Sequence, residues 1–156
     1  MTKDTYIFDL DGTIANIDAR RKLSTKTNGK MDFKQFFDPK NIDLDLPNDP
    51  VIQTLQTLHK AGFKIVIFSG RSKATKATTT QWLNKYNIPF DVLKMRPTSN
   101  TFAYMKDDDL KKHWLDTIFP DDSKNRIISV FDDRDQVVTM WRSNDIPCFQ
   151  VNYGDF

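Results

Sequence analysis

A short apolar segment near the start of the chain ends in two carboxylates that are close enough to act together. Residues 6–8 are Tyr-Ile-Phe, and Asp9, Leu10 and Asp11 follow, then a glycine and a threonine. Side chains alternate across a strand, so Asp9 and Asp11 are expected on the same side. Like charges this close repel unless a cation lies between them. The pair therefore predicts a Mg²⁺ site with one carboxylate free for covalent chemistry, and an acidic β-turn is the alternative.

Two later apolar segments also end in polar residues. They are residues 63–68, followed by Ser69, Gly70 and Arg71, and residues 127–131, followed by Asp132 and Asp133. In open parallel sheets ligands bind beyond the carboxyl ends of the strands, so these residues are expected to converge with Asp9 and Asp11. Three such strand ends in this order resemble the motifs of the haloacid dehalogenase-like (HAD) phosphohydrolases and are far more specific than one acidic turn.

The elements that must position these residues alternate between strand and helix patterns, which favours βαβ units and a parallel sheet. We predict strands at residues 5–8, 64–68, 90–95, 126–131 and 148–151, and helices at residues 49–61, 73–86, 107–119 and 135–143. The expected fold is α/β, a doubly wound, five-stranded, mainly parallel sheet of the HAD type, with residues 1–156 as one domain. Trp82, Trp114 and Trp141 are expected in the core, with base stacking as the alternative.

Residues 18–46 interrupt this alternation. They contain a turn signal, Asn28-Gly29, and three phenylalanines at helical spacing, Phe33, Phe36 and Phe37. Inserts at this point in the superfamily are caps over the active site, so we expect a small cap or substrate-binding segment here. A cap this short predicts an open mouth, which suits a substrate longer than the pocket.

The residue types at the strand ends indicate how a phosphate ester would be hydrolysed. Asp9 is the expected nucleophile, forming an aspartyl-phosphate, and Asp11 is the expected general acid and base. Coordination by oxygen atoms alone suits Mg²⁺ better than zinc. The predicted metal ligands are Asp9, the backbone carbonyl of Leu10, Asp11, Asp132 and Asp133.

A cation is also needed to neutralise the transferring phosphoryl group. Lys111 is the candidate, because it lies four residues after Asp107 and an ion pair at this helical spacing would hold its ammonium. Lys106 and Lys112 are the second and third choices, and an ordinary surface salt bridge is the alternative for Lys111. Ser69 is expected to donate a hydrogen bond to a phosphoryl oxygen.

The C-terminal part of the chain carries a narrower resemblance. Residues 132–142, Asp-Asp-Arg-Asp-Gln-Val-Val-Thr-Met-Trp-Arg, and the final Gly-Asp-Phe resemble the 3′-phosphatase domain of phage polynucleotide kinase/phosphatase. The resemblance implies essential roles for Asp9, Asp11, Arg20, Arg71, Asp107, Lys111, Asp132 and Asp133. Both arginines suit bidentate contacts with a substrate phosphate or a nucleic-acid backbone. The residues predicted to bind substrate are Thr13, Arg20, Ser69, Gly70, Arg71 and Asp107.

This resemblance implies a Mg²⁺-dependent phosphomonoesterase that removes 3′-phosphates from DNA or RNA ends. The chain has no Gly-x-x-x-x-Gly-Lys-Ser/Thr segment, so 5′-kinase activity is not predicted. Two alternatives stay open: a nucleotidase that acts on free mononucleotides with the same residues, and a catalytically inactive module that binds phosphate or nucleic acid. Retention of both Asp9 and Asp11 argues against the inactive module.

Composition adds little to the prediction of a partner. The 23 Lys and Arg residues nearly balance the 21 Asp and Glu residues, so net charge makes no case for nucleic acid. Several basic residues could line a phosphate-tracking groove or simply be solvated: Arg20, Arg21, Lys22, Lys26, Lys73 and Lys76. The single cysteine, Cys148, is expected to be a buried thiol. Without a signal peptide or an apolar run of membrane length, we expect a cytoplasmic protein, in the host if phage-encoded; the oligomeric state is not predicted.

Overall fold

A parallel five-stranded sheet forms the framework of the structure, a computed structural model that describes residues 2–156. The strands are β1 (Thr5–Phe8), β2 (Ala15–Asn16), β3 (Leu46–Pro47), β4 (Lys64–Ser72), β5 (Val92–Arg96), β6 (Ile127–Asp132) and β7 (Cys148–Gln150). The sheet order is β5-β4-β1-β6-β7 and every neighbouring pair is parallel, while β2 and β3 form a separate antiparallel pair. The predicted α/β fold with a doubly wound parallel sheet is confirmed.

Helices connect and flank these strands. The α-helices of residues 2–156 are α1 (Asp18–Ser24), α2 (Phe33–Phe36), α3 (Asp49–Lys60), α4 (Lys76–Lys85), α5 (Asp107–Ile118) and α6 (Asp135–Ser143). Short 3₁₀ helices cover Pro39–Leu44, Lys73–Thr75, Thr101–Tyr104 and Asp121–Arg126. The regular helix α4 therefore begins three residues later than predicted, because the Ser72 side chain caps a 3₁₀ turn by accepting from the Ala74 N–H. None of the helices in the described part of the chain is long and apolar enough to span a membrane.

β4 continues past its predicted end at residue 68 as far as Ser72. Its pairing with β5 is regular up to Ser69 and then shifts register before Ser72. Ser69 is therefore the last residue of the regular pairing and does not end the strand. The predicted end at residue 68 was wrong, because the chain stays extended as far as Ser72, which pairs with Arg96 on β5.

The strands supply a hydrophobic cluster to each face of the sheet, because alternate side chains point to opposite sides. One cluster contains Ile7, Val66, Phe68, Trp114 and Trp141, and the other contains Phe8, Ile65, Ile67, Leu55 and Trp82. The three tryptophans are at most 2% exposed, which confirms their predicted place in the core. Cys148 is only partly buried, so the prediction of a buried thiol was too strong.

Residues 18–46 form a small, mainly helical segment between β2 and β3, built from α1, α2 and a 3₁₀ helix. Gly29 adopts a positive φ of +79°, and its N–H donates to the Lys26 carbonyl at 2.9 Å, which confirms the predicted turn. The side chain of Asp32 accepts hydrogen bonds from the first N–H groups of α2 and so fixes the start of that helix. The segment carries Arg20 and Asp45, two buried charged residues, toward the carboxyl end of β1.

Candidate active site

The carboxylates of Asp9 and Asp132 belong to neighbouring strands of the sheet. Asp9 follows β1 and Asp132 ends β6; Phe8 pairs with Phe131, whose carbonyl accepts from the Asp9 N–H at 2.9 Å. Both acids are buried, with 7% and 1% of their surface exposed. The indole Nε1 of Trp141, on α6, donates to Asp132 Oδ2 at 3.3 Å. The carboxyl ends of two parallel strands thus bring together acids that are distant in sequence, as the motif order predicts.

The ammonium of Lys111 lies within hydrogen-bond distance of both carboxylates. Its Nζ is 2.7 Å from Asp9 Oδ1 and 2.9 Å from Asp132 Oδ2, and the residue is buried. The prediction that Asp107 holds this ammonium is wrong. Asp107, one turn earlier in α5, pairs with two arginines instead. Burial also excludes a surface salt bridge for Lys111. The buried acids, and not Asp107, hold this ammonium.

Asp9, Asp132 and Asp133 form a candidate metal centre. Each offers one carboxylate oxygen, and these oxygens lie within 4.8 Å of one another. Three carboxylates and the Lys111 ammonium leave an excess of two negative charges, which a divalent cation would balance. Because every donor is a carboxylate oxygen, the group fits Mg²⁺ better than zinc. We call Asp9, Asp132, Asp133 and Lys111 the carboxylate cluster.

Burial and mutual repulsion disfavour the ionised acids of the carboxylate cluster. Burial raises the pKa of Asp9 well above its usual range; repulsion from Asp132 and Asp133 adds to this, and Lys111 opposes it. Burial and the charge of Asp132 raise the pKa of Asp133 to about 6. Burial alone would lower the pKa of Lys111, but the two acids that it contacts raise it above its usual range. A bound cation would favour the ionised acids, so the electrostatics fit a metal site.

The loop after β1 fixes the carboxylates from one side. Thr13 Oγ1 donates to Asp9 Oδ2 at 3.1 Å and lies 3.5 Å from Asp133 Oδ1. Gly12 has a positive φ of +82°, and a Cβ at this position would lie 2.1 Å from Asp133 Oδ2. Glycine is therefore required both by the backbone conformation and by the close approach of the carboxylate. Thr13, predicted to bind substrate, orients the acids in this structure.

The backbone carbonyl of Leu10, which was predicted as a metal ligand, is engaged inside the same loop. It accepts hydrogen bonds from the N–H groups of Thr13, Ile14 and Ala15 at 3.2, 3.0 and 2.9 Å, and Leu10 is fully buried. The turn that places Asp11 thus uses the lone pairs of this carbonyl. The prediction of Leu10 as a ligand was wrong for this reason.

Asp11 lies between two arginines and outside the group of acids that could share a metal. Arg20 Nη2 at 2.8 Å and Arg71 Nε at 2.7 Å both donate to Asp11 Oδ1. Burial would raise the pKa of Asp11, but the guanidiniums of Arg71 and Arg20 hold it below its usual range. Its carboxylate charge is balanced by these guanidiniums, and Asp11 as a metal ligand stays a prediction.

Asp45 completes this second cluster, and sequence reasoning missed it. Its Oδ1 accepts from Arg20 Nε at 2.9 Å, and its Oδ2 accepts from Arg20 Nη2 at 3.0 Å and from Arg71 Nη2 at 2.6 Å. The indole of Trp82 donates to its backbone carbonyl at 3.0 Å. Burial raises the pKa of Asp45, and the two guanidiniums oppose that effect. The only sequence signal was a charge between two leucines. We call Asp11, Asp45, Arg20 and Arg71 the arginine cluster.

Arg20 and Arg71 are predicted to contact a substrate phosphate, but their guanidiniums face protein acceptors. Both residues are at most 1% exposed. Their Nη1 atoms donate to the Phe36 carbonyl at 3.1 Å and to the Thr79 hydroxyl at 3.2 Å, so each guanidinium nitrogen has a protein partner. The predicted phosphate contact is corrected accordingly: these arginines hold Asp11 in place.

Ser69 is buried beside the arginine cluster. Its Oγ accepts a hydrogen bond from the backbone N–H of Arg71 at 3.2 Å. The hydroxyl keeps its own proton for donation, so the predicted bond to a phosphoryl oxygen stays a prediction.

Asp107, which was predicted both to bind substrate and to hold Lys111, joins two arginines that the prediction did not include. Its carboxylate pairs with Arg96 and, at 3.1 Å, with Arg134. A Cβ at Gly70 would lie 2.6 Å from Asp107 Oδ1, so the glycine leaves room for this carboxylate beside β4. Asp107 therefore orients positive charge at the mouth of the site.

A cavity of about 890 Å³ opens onto both clusters. The residues of the candidate site that line this cavity are Asp9, Asp11, Gly70, Asp107, Lys111, Asp132 and Asp133. Arg21, one of the predicted groove residues, also lines it, whereas Arg20 is buried beneath. Lys106, the second choice for the phosphoryl cation, lines the same cavity, and Lys112 pairs with Asp116 at the surface. Among these three lysines, Lys111 is the one that contacts the acids.

Fold and site together define a phosphatase of the HAD type, with paired acids at the ends of neighbouring parallel strands. A family model described as the polynucleotide kinase PNKP phosphatase domain matches residues 3–156. The chain belongs to this family.

Similar proteins agree with this assignment. A protein of Autographa californica nuclear polyhedrosis virus, named for polynucleotide kinase and RNA ligase activities, is 34% identical over 145 residues, which are 89% of this chain and 18% of the viral protein. A chain in the solved Pnkp1/Rnl/Hen1 complex is 36% identical with a TM-score of 0.77, over 100% of this chain and 48% of that one. A Clostridium difficile protein shares the fold at 15% identity and a TM-score of 0.71, over 100% of this chain and 89% of its own. This chain thus spans less than half the length of the first two relatives.

Proposed function

We propose that the chain is a Mg²⁺-dependent phosphomonoesterase that removes 3′-phosphates from DNA or RNA ends through an aspartyl-phosphate. The observation that carries the proposal is a buried Asp9 carboxylate at the floor of an open cavity, with a lysine ammonium on one oxygen. Asp11 lines the same cavity and is oriented by two arginines. A nucleophile and a proton-transfer group therefore face the same space.

In the first step, an Asp9 oxygen attacks phosphorus and the bond from phosphorus to the 3′-oxygen breaks. The electron pair of that bond goes to the 3′-oxygen, which takes a proton from Asp11. The products are an aspartyl-phosphate on Asp9 and a free 3′-hydroxyl. Because the arginines lower the pKa of Asp11 in the free protein, its proton must be taken up as the phosphate dianion enters beside it.

In the second step, the Asp11 carboxylate takes a proton from water while the water oxygen attacks phosphorus. The bond from phosphorus to Asp9 breaks, and inorganic phosphate and the free carboxylate are restored. A lowered pKa suits this step, because Asp11 is then ready as a base. The contacts from Arg20 and Arg71 both fall on Oδ1, which leaves Oδ2 for proton transfer.

The carboxylate cluster would hold the positive charge that both steps need. Bound by Asp9, Asp132 and Asp133, Mg²⁺ would screen the repulsion between the nucleophile and the phosphate dianion. Lys111 would stabilise negative charge on the transferring group, since its ammonium lies 2.7 Å from the attacking carboxylate. Ser69 and Thr13 are the hydroxyl groups that we propose as donors to phosphoryl oxygens.

The polynucleotide substrate is supported by the family to which the chain belongs and by the names of its relatives. The proposal includes nucleic acid 3′ ends as the binding partner and no kinase activity of this chain. It includes the host cytoplasm as the setting if the chain is phage-encoded. Its rival is hydrolysis of free mononucleotides by the same residues.

The test is phosphate release from a 3′-phosphorylated oligonucleotide, with Mg²⁺ and with EDTA, beside a 3′-mononucleotide and a 5′-mononucleotide at equal concentration. We expect Mg²⁺-dependent release that is fastest on the oligonucleotide. Faster release from a mononucleotide would keep the mechanism and replace the substrate. Release from none of the three, by protein that is folded and Mg²⁺-loaded, would favour the inactive binding module.

A further inference from the structure

The cavity above the acids is larger and more apolar than a phosphate requires. A phosphate needs only charged and polar neighbours, and the two clusters already provide these. The remainder of the cavity is lined by apolar side chains of the 18–46 segment and of the residues before α5, including Met31, Phe36, Phe37 and Met105. Apolar surface continuous with a charged site fits a ligand that carries both a phosphate and a flat apolar group.

Two aromatic side chains of this lining are exposed to solvent. Phe33 is 64% exposed and Tyr104 is 92% exposed, although both line the cavity. Phe33 stacks on Phe37, with ring centroids 6.2 Å apart. The ring of Phe156, in contrast, is contacted by two guanidiniums, 4.6 and 5.5 Å from its centroid. Phe33 and Tyr104 are therefore the rings of this cavity that a planar ligand can reach.

The remaining charged residues of the lining make the mouth positive. Arg21, Arg96, Lys106 and Arg134 line it, and Asp107 is the acid among them. One carboxylate shared by two of the arginines leaves an excess of positive charge. Such a mouth attracts a phosphodiester backbone, and exposed rings offer a sequence-independent stacking platform for bases.

We propose that Phe33 and Tyr104 form a subsite for the base of the 3′-terminal nucleotide, whose phosphate reaches Asp9. The subsite determines specificity and takes no part in bond breaking. This inference rests on the proposed function, because it assigns the nucleoside end of the same substrate. The subsite gives a role to Phe33, which the short 18–46 segment exposes toward the cavity.

The experiment compares two 3′-phosphorylated DNA oligonucleotides that differ only at the last nucleotide, which is thymidine in one and an abasic tetrahydrofuran analogue in the other. For the unmodified protein we expect kcat/KM to be about tenfold lower on the abasic substrate, the size of a base–aromatic stack. Tyr104→Ala and Phe33→Ala should each lower kcat/KM on the thymidine substrate and leave the abasic rate unchanged. The preference for a base should shrink accordingly.

Two matched variants control for general effects of losing an exposed ring. Tyr153, 94% exposed, and Phe149, 58% exposed, lie outside the lining of this cavity. Tyr153→Ala and Phe149→Ala should keep both rates and the preference. Equal rates of the unmodified protein on the two oligonucleotides, or equal losses on both in the Phe33 and Tyr104 variants, would overturn the subsite.

Binding separates this inference from the proposed function. Fluorescence anisotropy with Asp9→Asn protein should give a Kd about tenfold weaker for the abasic oligonucleotide, and Tyr104→Ala in that background should remove the difference. A difference in Kd without turnover by the unmodified protein would support the subsite and contradict the phosphatase. Turnover without any difference in Kd or rate would do the reverse.

Discussion

The two clusters of buried charge that meet at this cavity differ in one respect, the balance of their charges. The arginine cluster pairs two carboxylates, Asp11 and Asp45, with two guanidiniums. The carboxylate cluster sets three carboxylates against the single ammonium of Lys111. Buried charges are tolerated when they are paired and hydrogen-bonded, and are costly when they are not.

This difference indicates which part of the site is complete without a ligand. The arginine cluster satisfies its own donors and acceptors, so it acts as a rigid support that presents Asp11. The carboxylate cluster raises the pKa of Asp9 and Asp133 because burial and repulsion are not fully compensated. Substitutions of the residues that support Asp11 should therefore affect stability, whereas substitutions of Asp11 itself should affect turnover. Substitutions in the carboxylate cluster should affect metal binding and turnover.

The largest effect is expected from Asp9→Asn. Without the nucleophile, release of phosphate should fall by at least about 10³-fold, because the aspartyl-phosphate cannot form. The fold should persist, since the neutral amide removes one of three repelling charges. Phosphate release and circular dichroism measure the two effects. Asp122→Asn, at an exposed position, is the control. A wild-type rate for Asp9→Asn would contradict the assignment of Asp9 as the nucleophile.

Asp11→Asn should slow turnover of an oligonucleotide by about 10²- to 10⁴-fold, because both proton transfers are lost. With 4-nitrophenyl phosphate the leaving group needs no proton, so the first step should survive. We expect one equivalent of nitrophenolate per protein, followed by a stall at the aspartyl-phosphate. Rapid-mixing absorbance measures this burst, and steady turnover without a stall would assign water activation to another group.

Asp45→Asn tests whether the arginine cluster contributes to stability. Removing one charge from a buried, hydrogen-bonded network should lower the free energy of unfolding by about 3–5 kcal/mol. The exposed Asp43, two residues earlier, offers a matched control, and Asp43→Asn should change stability by about 0.5 kcal/mol or less. Urea denaturation followed by tryptophan fluorescence measures both. Equal stabilities of the two variants would mean that the arginines do not depend on Asp45.

The same contrast explains what the sequence could predict. Strand ends such as Asp9 and Asp132 follow local apolar runs, and parallel order brings them together by a general rule. Asp45 could not be found this way, because its partners lie 25 and 26 residues away and no local pattern links them. The arrangement of the arginine cluster is a property of tertiary packing alone.

Backbone detail was also beyond the sequence pattern. The sequence pattern predicted a strand followed by a loop at Leu10. It did not predict the turn in which the Leu10 carbonyl accepts hydrogen bonds from three N–H groups. Lys111 lies among the acids, while the helical ion pair predicted to hold it does not form, because Asp107 pairs with Arg96 and Arg134. Spacing along a helix identifies which side chains are neighbours but not which more distant partners they prefer.

A smaller effect, on the order of 2 kcal/mol, is expected from pH in metal-free protein. Folded Asp133 keeps its proton up to about pH 6, whereas its usual pKa is 3.8, so the folded state binds more protons between these values. Stability should therefore fall as the pH rises from about 4 to about 6, and the raised pKa of Asp9 acts in the same direction.

Thermal melting in EDTA at pH 5 and pH 7 measures this dependence. Mg²⁺ binds the ionised acids, so it should raise Tm more at pH 7 than at pH 5. Asp133→Asn should reduce both the pH dependence and the response to Mg²⁺. A metal response that is equal at the two pH values would contradict an uncompensated carboxylate cluster.

The smallest effects concern two buried tryptophans, one at each cluster. Trp141 donates its indole N–H to the Asp132 carboxylate at 3.3 Å, and Trp82 donates to the backbone carbonyl of Asp45 at 3.0 Å. Phenylalanine at either position removes one hydrogen bond, which should cost about 1 kcal/mol of stability. Only Trp141→Phe should also weaken Mg²⁺ binding, by about two- to tenfold, because only this indole holds a predicted metal ligand.

Isothermal titration calorimetry with Mg²⁺ measures metal affinity, and urea denaturation measures stability. Applied to both tryptophan variants, they compare the two clusters after the same substitution. Equal Mg²⁺ affinities, with equal losses of stability, would mean that the Asp132 carboxylate is held firmly enough by the Lys111 ammonium and by the backbone N–H of Asp133, which donates to Asp132 Oδ1 at 2.9 Å. A weaker affinity in Trp141→Phe alone would show that the cluster with unbalanced charge needs its hydrogen bonds to keep a carboxylate aimed at the cation. The balanced cluster, which has no cation to bind, needs them only for packing.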